Sequence, residues 1–250
     1  MGENGVYRMS EAVRRQRRLL EAHPPPPTEA ATLPALRRQA IEAARPLVEE
    51  AIARNRVRVS EVMIAGVTCS AIDPEDRRQG DEMVYLFGGG FVQGSAFEDL
   101  ILSAPLARLT RSRIIAPHYR LAPENPFPAA LDDVFAVVSA LSQSGPAPRV
   151  VGESAGGNLA LAVTHRLRRL GAPGPKALAL MSPAVELGRA DDAIDLGLDP
   201  TLTLERVKAV AGLYAGGQDL EDPEISPIHG AFDDSFPPCF ITTGTRDLFL

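Results

Sequence analysis

The sequence predicts an α/β fold in which a mostly parallel sheet is covered by helices on both faces. From Arg56 onward, short apolar runs typical of strands alternate with helical segments. Nearly continuous apolar strands in such an alternation indicate a sheet that is buried on both faces. The length of 250 residues and the hydrophobic content of 45% agree with one large globular domain of this class.

The strands and helices of this core follow one another in order. Strands are predicted over residues 57–64, 67–72, 83–87, 113–119, 149–153, 177–181 and 239–243, and helices over residues 127–141, 156–170 and 202–214. In the helix 127–141, one face carries the apolar side chains of Leu131, Val134, Phe135 and Val138.

Two further helices are predicted before the first strand. Ser10 can cap a helix that reaches Ala22 and ends at the prolines 24–27, and a second helix runs from about residue 33 to residue 55. The arginines of the first helix could form a nucleic-acid patch. On a chain of net charge −6, however, a solvated helix face is the favoured interpretation, so no nucleic-acid partner is predicted.

Composition also argues against a secreted or membrane-spanning protein. No window approaches the roughly 20 apolar residues of a membrane helix, and the N-terminus lacks the apolar part of a secretory signal. Cys69 and Cys239 are too few for a disulfide framework, so we expect free thiols and a cytoplasmic location. No cluster of histidine, cysteine and aspartate has metal-ligand spacing, so neither a metal nor another cofactor is predicted.

The strongest chemical motif is G-x-S-x-G at residues 152–156, between a predicted strand and a predicted helix. This context is the one that a nucleophile elbow requires, because the sharp turn lifts the serine Oγ clear of the sheet. The turn also places Ser154 at a helix N-terminus, where free N–H groups favour developing negative charge. A tight turn with an incidental serine is the alternative, and the order of strand and helix favours the elbow.

A run of three glycines, Gly88, Gly89 and Gly90, directly follows the strand 83–87. Glycines let backbone N–H groups approach a substrate oxygen, as an oxyanion hole needs, and the N–H after the nucleophile, that of Ala155, would complete the hole. A phosphate loop is excluded because no Lys-Ser or Lys-Thr pair follows, and a dinucleotide loop because the G-x-G-x-x-G spacing is missing. A flexible turn remains the alternative.

A candidate triad acid, Asp247, comes just after the last predicted strand. An acid at the carboxyl end of a strand, downstream of the serine, fits the chain order Ser, Asp, His. An aspartate at a strand end is by itself more often a cap or turn residue.

Taken together, these stretches resemble the hormone-sensitive-lipase-like (bacterial family IV) esterases of the α/β-hydrolase fold. The matching stretches lie within residues 62–250 and comprise residues 85–95, 119–124, 127–133, 152–158, 182–183, 226–227 and 244–247. The resemblance implies a division into N-terminal cap helices, residues 1–55, and a core, residues 56–250, with a cap insertion at about 188–222. It also implies a nucleophile, a triad acid and an oxyanion hole, at Ser154, Asp247, and the N–H groups of Gly88, Gly89, Gly90 and Ala155.

The chain departs from the family at two places. Phe87 stands where the family has a histidine before the three glycines, and no triad histidine follows Asp247. We therefore expect the chain to be a truncated form of a longer ancestor, without the last strand and helix of the fold. The histidines present are His23, His118, His165 and His229, of which His118 and His229 are weak candidates for a substitute base.

Two functions follow from these features. The first is a serine carboxylic-ester hydrolase that acts on short to medium acyl esters or lactones through an acyl-enzyme on Ser154. The second is a non-catalytic α/β-hydrolase-fold protein, a ligand binder or pseudo-enzyme, which the two departures favour. The hydrolase is the preferred hypothesis, with a small-molecule ester or lactone as partner and a homodimer as a possible assembly. The missing histidine leaves the activity of this chain open.

Overall fold

A seven-stranded sheet forms the centre of the molecule, in a computed structural model that describes residues 29–188 and 202–244 except Gln79 and Asp81, together with Glu11, Arg14 and Arg18. The strands are β1 (Val57–Ile64), β2 (Val67–Pro74), β3 (Glu82–Leu86), β4 (Arg113–Pro117), β5 (Arg149–Glu153), β6 (Ala177–Met181) and β7 (Cys239–Thr242). The described helices longer than one turn are α1 (Leu33–Asn55), α2 (Leu100–Thr110), α3 (Ala129–Ser144), α4 (Ala155–Arg169) and α5 (Leu204–Ala215).

The strand order β1-β2-β4-β3-β5-β6-β7 makes the sheet mostly parallel. The first two pairings, β1 with β2 and β2 with β4, are antiparallel, and all the others are parallel. This arrangement confirms the predicted fold class. The parallel strands end at one edge of the sheet, so the loops that follow β3, β5 and β6 lie close together there.

The predicted strands and helices of the core agree with the structure to within a few residues at each end. The helix α2 was not predicted, because Pro105 lies inside it and proline removes a helical hydrogen bond. Of the helix predicted over residues 10–22, Glu11, Arg14 and Arg18 are helical, and the remainder lies outside the described residues. No described helix combines the length and the apolar character needed to cross a membrane.

The central helix α4 follows the candidate nucleophile and is buried over most of its length. Inside it, Asn158 donates from Nδ2 to the carbonyl oxygens of Ala184 and Ile225, both at 2.8 Å. These bonds attach two loops, one of them directly after β6, to the helix that carries the elbow.

The helix α1 packs against the segment that follows the glycine loop. Leu33 is fully buried with Val92 and Ala122. Arg37 donates from Nε to the carbonyl oxygen of Val92 at 2.8 Å and forms an ion pair with Glu124 at 3.0 Å. The division into cap and core remains a prediction.

Candidate active site

Ser154 occupies a strained turn between β5 and α4. Its backbone angles are φ 51° and ψ −114°, in a region that a residue with a Cβ seldom adopts. The Ser154 N–H donates to the carbonyl oxygen of Met181 at 2.9 Å, and the Ser154 carbonyl accepts from Asn158 and Ala184 at 3.0 and 3.2 Å. Backbone bonds to β6, to α4 and to the loop after β6 therefore hold the turn.

Glycines next to Ser154 permit this turn because the backbone crosses itself closely. A Cβ at Gly152 would collide with the carbonyl oxygen of Gly156, and one at Gly156 would collide with that of Leu86. Both glycines of the G-x-S-x-G motif are therefore required by backbone contacts. The strand–turn–helix geometry agrees with the predicted nucleophile elbow.

The glycine loop after β3 lies against both the elbow and α5. Gly89 and Gly90 have φ values of 119° and 62°, which glycine adopts without strain. A Cβ at Gly90 would lie 2.8 Å from Cγ1 of Val210, so the missing side chain lets α5 approach the loop. Gly88 differs from the other two in its surroundings, because an added Cβ there would lie 3.1 Å from Oε1 of Glu153.

Phe87, which replaces the family histidine, is a packed core residue. Its side chain is 2% exposed and stacks on Tyr119, with ring centroids 4.0 Å apart and planes 5° from parallel. The Tyr119 hydroxyl donates to the Phe87 carbonyl oxygen at 2.7 Å. An aromatic stack and a buried hydrogen bond therefore fix the start of the glycine loop without an imidazole.

Two carboxyl groups lie beside the loop, those of Asp99 and Glu153. The Tyr85 hydroxyl donates to Oδ2 of Asp99 at 3.1 Å. Burial, followed by the charge of Glu153, raises the pKa of Asp99 to about 7, and burial also raises the pKa of Glu153. Sequence reasoning missed both acids as site residues, because Glu153 occupies a variable position of its motif and Asp99 belongs to no motif.

A cavity of about 620 Å³ opens at this edge of the sheet. Ser154, Gly89 and Gly90 line it, whereas Gly88 is not among its described lining residues. The helix α5 contributes an apolar wall and one cation, through Val207, Val210, Ala211 and Arg206. The candidate nucleophile and two of the candidate oxyanion donors thus share a space large enough for a small organic ligand.

The histidines that the structure describes lie elsewhere. Nε2 of His118 is 2.8 Å from Oγ of Ser70, and Nε2 of His165 is 3.1 Å from the carbonyl oxygen of Pro227. Nε2 of His229 lies 3.8 Å from Oε1 of Glu186. None of the three is among the described residues of the cavity lining. His23 and the candidate triad acid Asp247 lie outside the described residues.

The described residues contain no cluster of histidine, cysteine, aspartate and glutamate that could hold a metal ion. Cys69 and Cys239 form no disulfide.

The sheet order, the strained serine and the glycine loop together define the α/β-hydrolase class of proteins. A sequence model of the α/β-hydrolase fold matches residues 83–250. An esterase from the bacterial hormone-sensitive lipase family has a crystal structure that matches with a TM-score of 0.82 at 26% identity, covering 97% of this chain and 81% of that one. The chain therefore belongs to the hormone-sensitive-lipase-like branch of the α/β-hydrolase family, which confirms the resemblance found in the sequence.

Two curated relatives carry names that describe an activity. The chain is 31% identical over 204 residues to an esterase of Acinetobacter venetianus, in an alignment that covers 78% of this chain and 65% of that protein. It is 33% identical over 177 residues to an acetyl-hydrolase of Streptomyces hygroscopicus, covering 69% of this chain and 59% of that protein. The chain thus spans less than two thirds of the length of these relatives.

Proposed function

We propose that the protein is a carboxylic-ester hydrolase in which Ser154 is the nucleophile. The observation that carries the proposal is the strained backbone of Ser154, φ 51°, at the N-terminus of α4 and in the lining of the cavity. Backbone strain of this kind persists only where the surrounding structure enforces it, and it is common at functional sites. The names of the esterase and acetyl-hydrolase relatives support the same reaction class.

In the proposed reaction, Ser154 Oγ attacks the carbonyl carbon of the ester while a base removes the hydroxyl proton. The resulting tetrahedral oxyanion collapses, the bond to the alcohol oxygen breaks, and the alcohol leaves with a proton. Water then attacks the acyl-enzyme by the same path and releases the carboxylic acid. Each step needs donors that stabilise the oxyanion in a site shielded from bulk water.

The proposed oxyanion donors are the N–H groups of Gly88, Gly89, Gly90 and Ala155. Gly89 and Gly90 line the cavity next to Ser154, and Ala155 begins α4, where the N–H groups have no helical partner. Gly88 directly precedes these two glycines and lies against Glu153, where an added Cβ would be 3.1 Å from Oε1.

The proposed triad acid is Asp247, as the family resemblance implies. The base of such a triad is a histidine, and the three described histidines have other neighbours, away from the described cavity lining. The described part of the chain therefore contributes the nucleophile and the oxyanion donors. A short or medium acyl group suits the cavity of about 620 Å³ with its apolar α5 wall.

A fluorophosphonate probe tests the nucleophile directly. We expect the probe to label Ser154, as read by mass spectrometry of the labelled peptide, and the Ser154→Ala variant to lose both the label and p-nitrophenyl acetate hydrolysis. Ser182 is a matched control, since it lines the same cavity after the neighbouring strand. The Ser182→Ala variant should keep the label.

Two outcomes would contradict the proposal. Label on Ser182 with Ser154 unmodified would exclude Ser154 as the nucleophile. Absence of both label and ester hydrolysis, in a folded protein that still binds esters, would favour the ligand-binding alternative.

A further inference from the structure

The wall that α5 presents to the cavity is apolar except for one cation. Val207, Val210 and Ala211 line the cavity from this helix together with Arg206, which is partly buried. Among the described lining residues, Glu153 is the other ionisable side chain besides Arg206. Since pocket walls are mostly apolar with a few placed polar groups, such a cation selects for the chemistry of the ligand.

Arg206 also lacks a counter-ion within the described part of the chain. Other partly buried arginines are neutralised: Arg37 pairs with Glu124, and Arg166 pairs with Glu224 and Asp132. Among the described residues, no such ion pair involves Arg206, whose described bond is the one from its backbone N–H to Oγ1 of Thr203. An anion that reaches this partly buried guanidinium would be stabilised by charge-assisted hydrogen bonds.

Glu153 does not supply that counter-ion. Its carboxyl lies near Gly88, where an added Cβ would be 3.1 Å from Oε1. Burial raises the pKa of Glu153, which favours its neutral form relative to an exposed glutamate and weakens repulsion of an anion. The described cavity lining thus contains an acid next to Ser154 and a cation on α5.

We propose that Arg206 binds a carboxylate of the substrate, so that the preferred substrates are esters carrying a carboxylate remote from the scissile bond. The guanidinium suits this role because its fork of donors matches a carboxylate in two parallel hydrogen bonds. The apolar wall of α5 would contact the carbon chain between the carboxylate and the ester. This inference rests on the proposed ester hydrolysis and specifies its substrate class.

Matched anionic and neutral esters test the substrate class. Monoethyl adipate against diethyl adipate places the carboxylate on the acyl side, and 4-acetoxybenzoate against its methyl ester places it on the alcohol side. In one of the two pairs we expect the wild-type protein to favour the anionic ester in kcat/KM. Arg206→Gln should reduce kcat/KM for that anionic ester about tenfold or more, with the neutral ester changed less than about twofold.

The control is Lys208→Gln, which removes the same charge from an exposed position two residues along α5, on another face of the helix. It should keep the wild-type preference, and Arg206→Lys should keep part of it. An unchanged anionic preference in Arg206→Gln, or a wild-type protein that hydrolyses neutral esters without preferring anionic ones in either pair, would overturn the inference while leaving the proposed hydrolase intact.

Binding to the Ser154→Ala variant separates this inference from the catalytic proposal. Calorimetry with monoethyl adipate and with 4-acetoxybenzoate should show binding that weakens about tenfold when Arg206→Gln is added. Arg206-dependent binding without any ester hydrolysis by the parent would support the anion site and contradict the hydrolase. Equal binding with and without Arg206 would contradict the anion site.

Discussion

The two sides of the candidate active site are held in different ways. On the elbow side, Ser154 is fixed by backbone hydrogen bonds to Met181 and Asn158. The neighbouring Gly152 and Gly156 lie so close to other backbone atoms that an added Cβ would collide with them. On the glycine-loop side, the contacts come from side chains: the stack and hydrogen bond of Tyr119 on Phe87, and the carboxyl group of Asp99, which accepts from the Tyr85 hydroxyl just before the loop.

The two sides should therefore respond differently to pH and to substitutions. The elbow contains no titratable group among its fixing contacts, so pH should leave its geometry unchanged, whereas any added Cβ should disrupt it. The loop side depends on a carboxyl group and on a buried hydroxyl, so it should respond to pH and to the loss of single polar atoms.

The largest effect is expected from Asp99, whose pKa is raised from 3.8 to about 7 by burial and by the charge of Glu153. Because the folded pKa is raised, the protonated carboxyl favours folding, and that stability is lost as pH rises from about 4 to about 7. A shift of this size corresponds to on the order of 4 kcal/mol. In Asp99→Asn, which cannot ionise, this loss should be absent.

Urea denaturation of both proteins at pH 4.5 and pH 8 measures this effect. The free energy of unfolding of Asp99→Asn, relative to wild type, should increase between the two pH values. Asp234→Asn is the control for removing one carboxyl, since Asp234 is exposed. A constant difference between Asp99→Asn and wild type would show that Asp99 stays ionised throughout, and that the loop side is no more sensitive to pH than the elbow.

The next effect concerns the elbow side and the substitution Gly156→Ala. The added methyl would collide with the carbonyl oxygens of Leu86 and Phe87, which belong to the backbone and cannot rotate away. We expect a loss of about 3 kcal/mol in the free energy of unfolding, measured by urea denaturation. Gly212→Ala is the matched control: this glycine lies in α5 with open space around its Cβ position, and alanine there should stabilise by about 1 kcal/mol.

Similar stability changes for the two substitutions would contradict this account of the elbow. If Gly156→Ala were as stable as wild type, the strand and helix would have room to separate. The strain at Ser154 would then not be enforced by the close backbone crossing.

The same contrast explains which features could be predicted from the sequence. The strands, the elbow and the glycine loop were predictable because their signals are local: apolar runs, and glycines at positions where the backbone turns sharply. Asp99 and Arg206 carry no local signal, since tertiary packing alone brings them to the loop or the cavity. Tyr119 lies in a stretch that resembles the family, but only the structure shows its contact with Phe87. The helix α5 could be predicted as a helix, but its apolar wall and its cation could be placed at the cavity only from the structure.

The smallest change in stability is expected when either of two buried tyrosines, each stacked on a phenylalanine of the loop, loses its hydroxyl. Tyr119 stacks on Phe87 and donates to its carbonyl oxygen, whereas Tyr214 stacks on Phe91 with centroids 3.7 Å apart, and no described residue bonds to its hydroxyl. Tyr119→Phe keeps the ring but leaves a buried carbonyl without that donor, which should cost about 1–2 kcal/mol. Tyr214→Phe removes a hydroxyl without removing a hydrogen bond, so it should be neutral or slightly stabilising.

Urea denaturation compares the two variants in stability, and ester hydrolysis compares them in function. If the bond from Tyr119 positions the loop, Tyr119→Phe should lower kcat more than it raises KM. The reason is that a displaced oxyanion donor weakens binding of the transition state more than binding of the substrate. Tyr214→Phe should leave kcat close to wild type. Equal stability and equal kcat for the two variants would mean that the aromatic stacks alone hold the loop, and that its polar contacts add nothing to the packing.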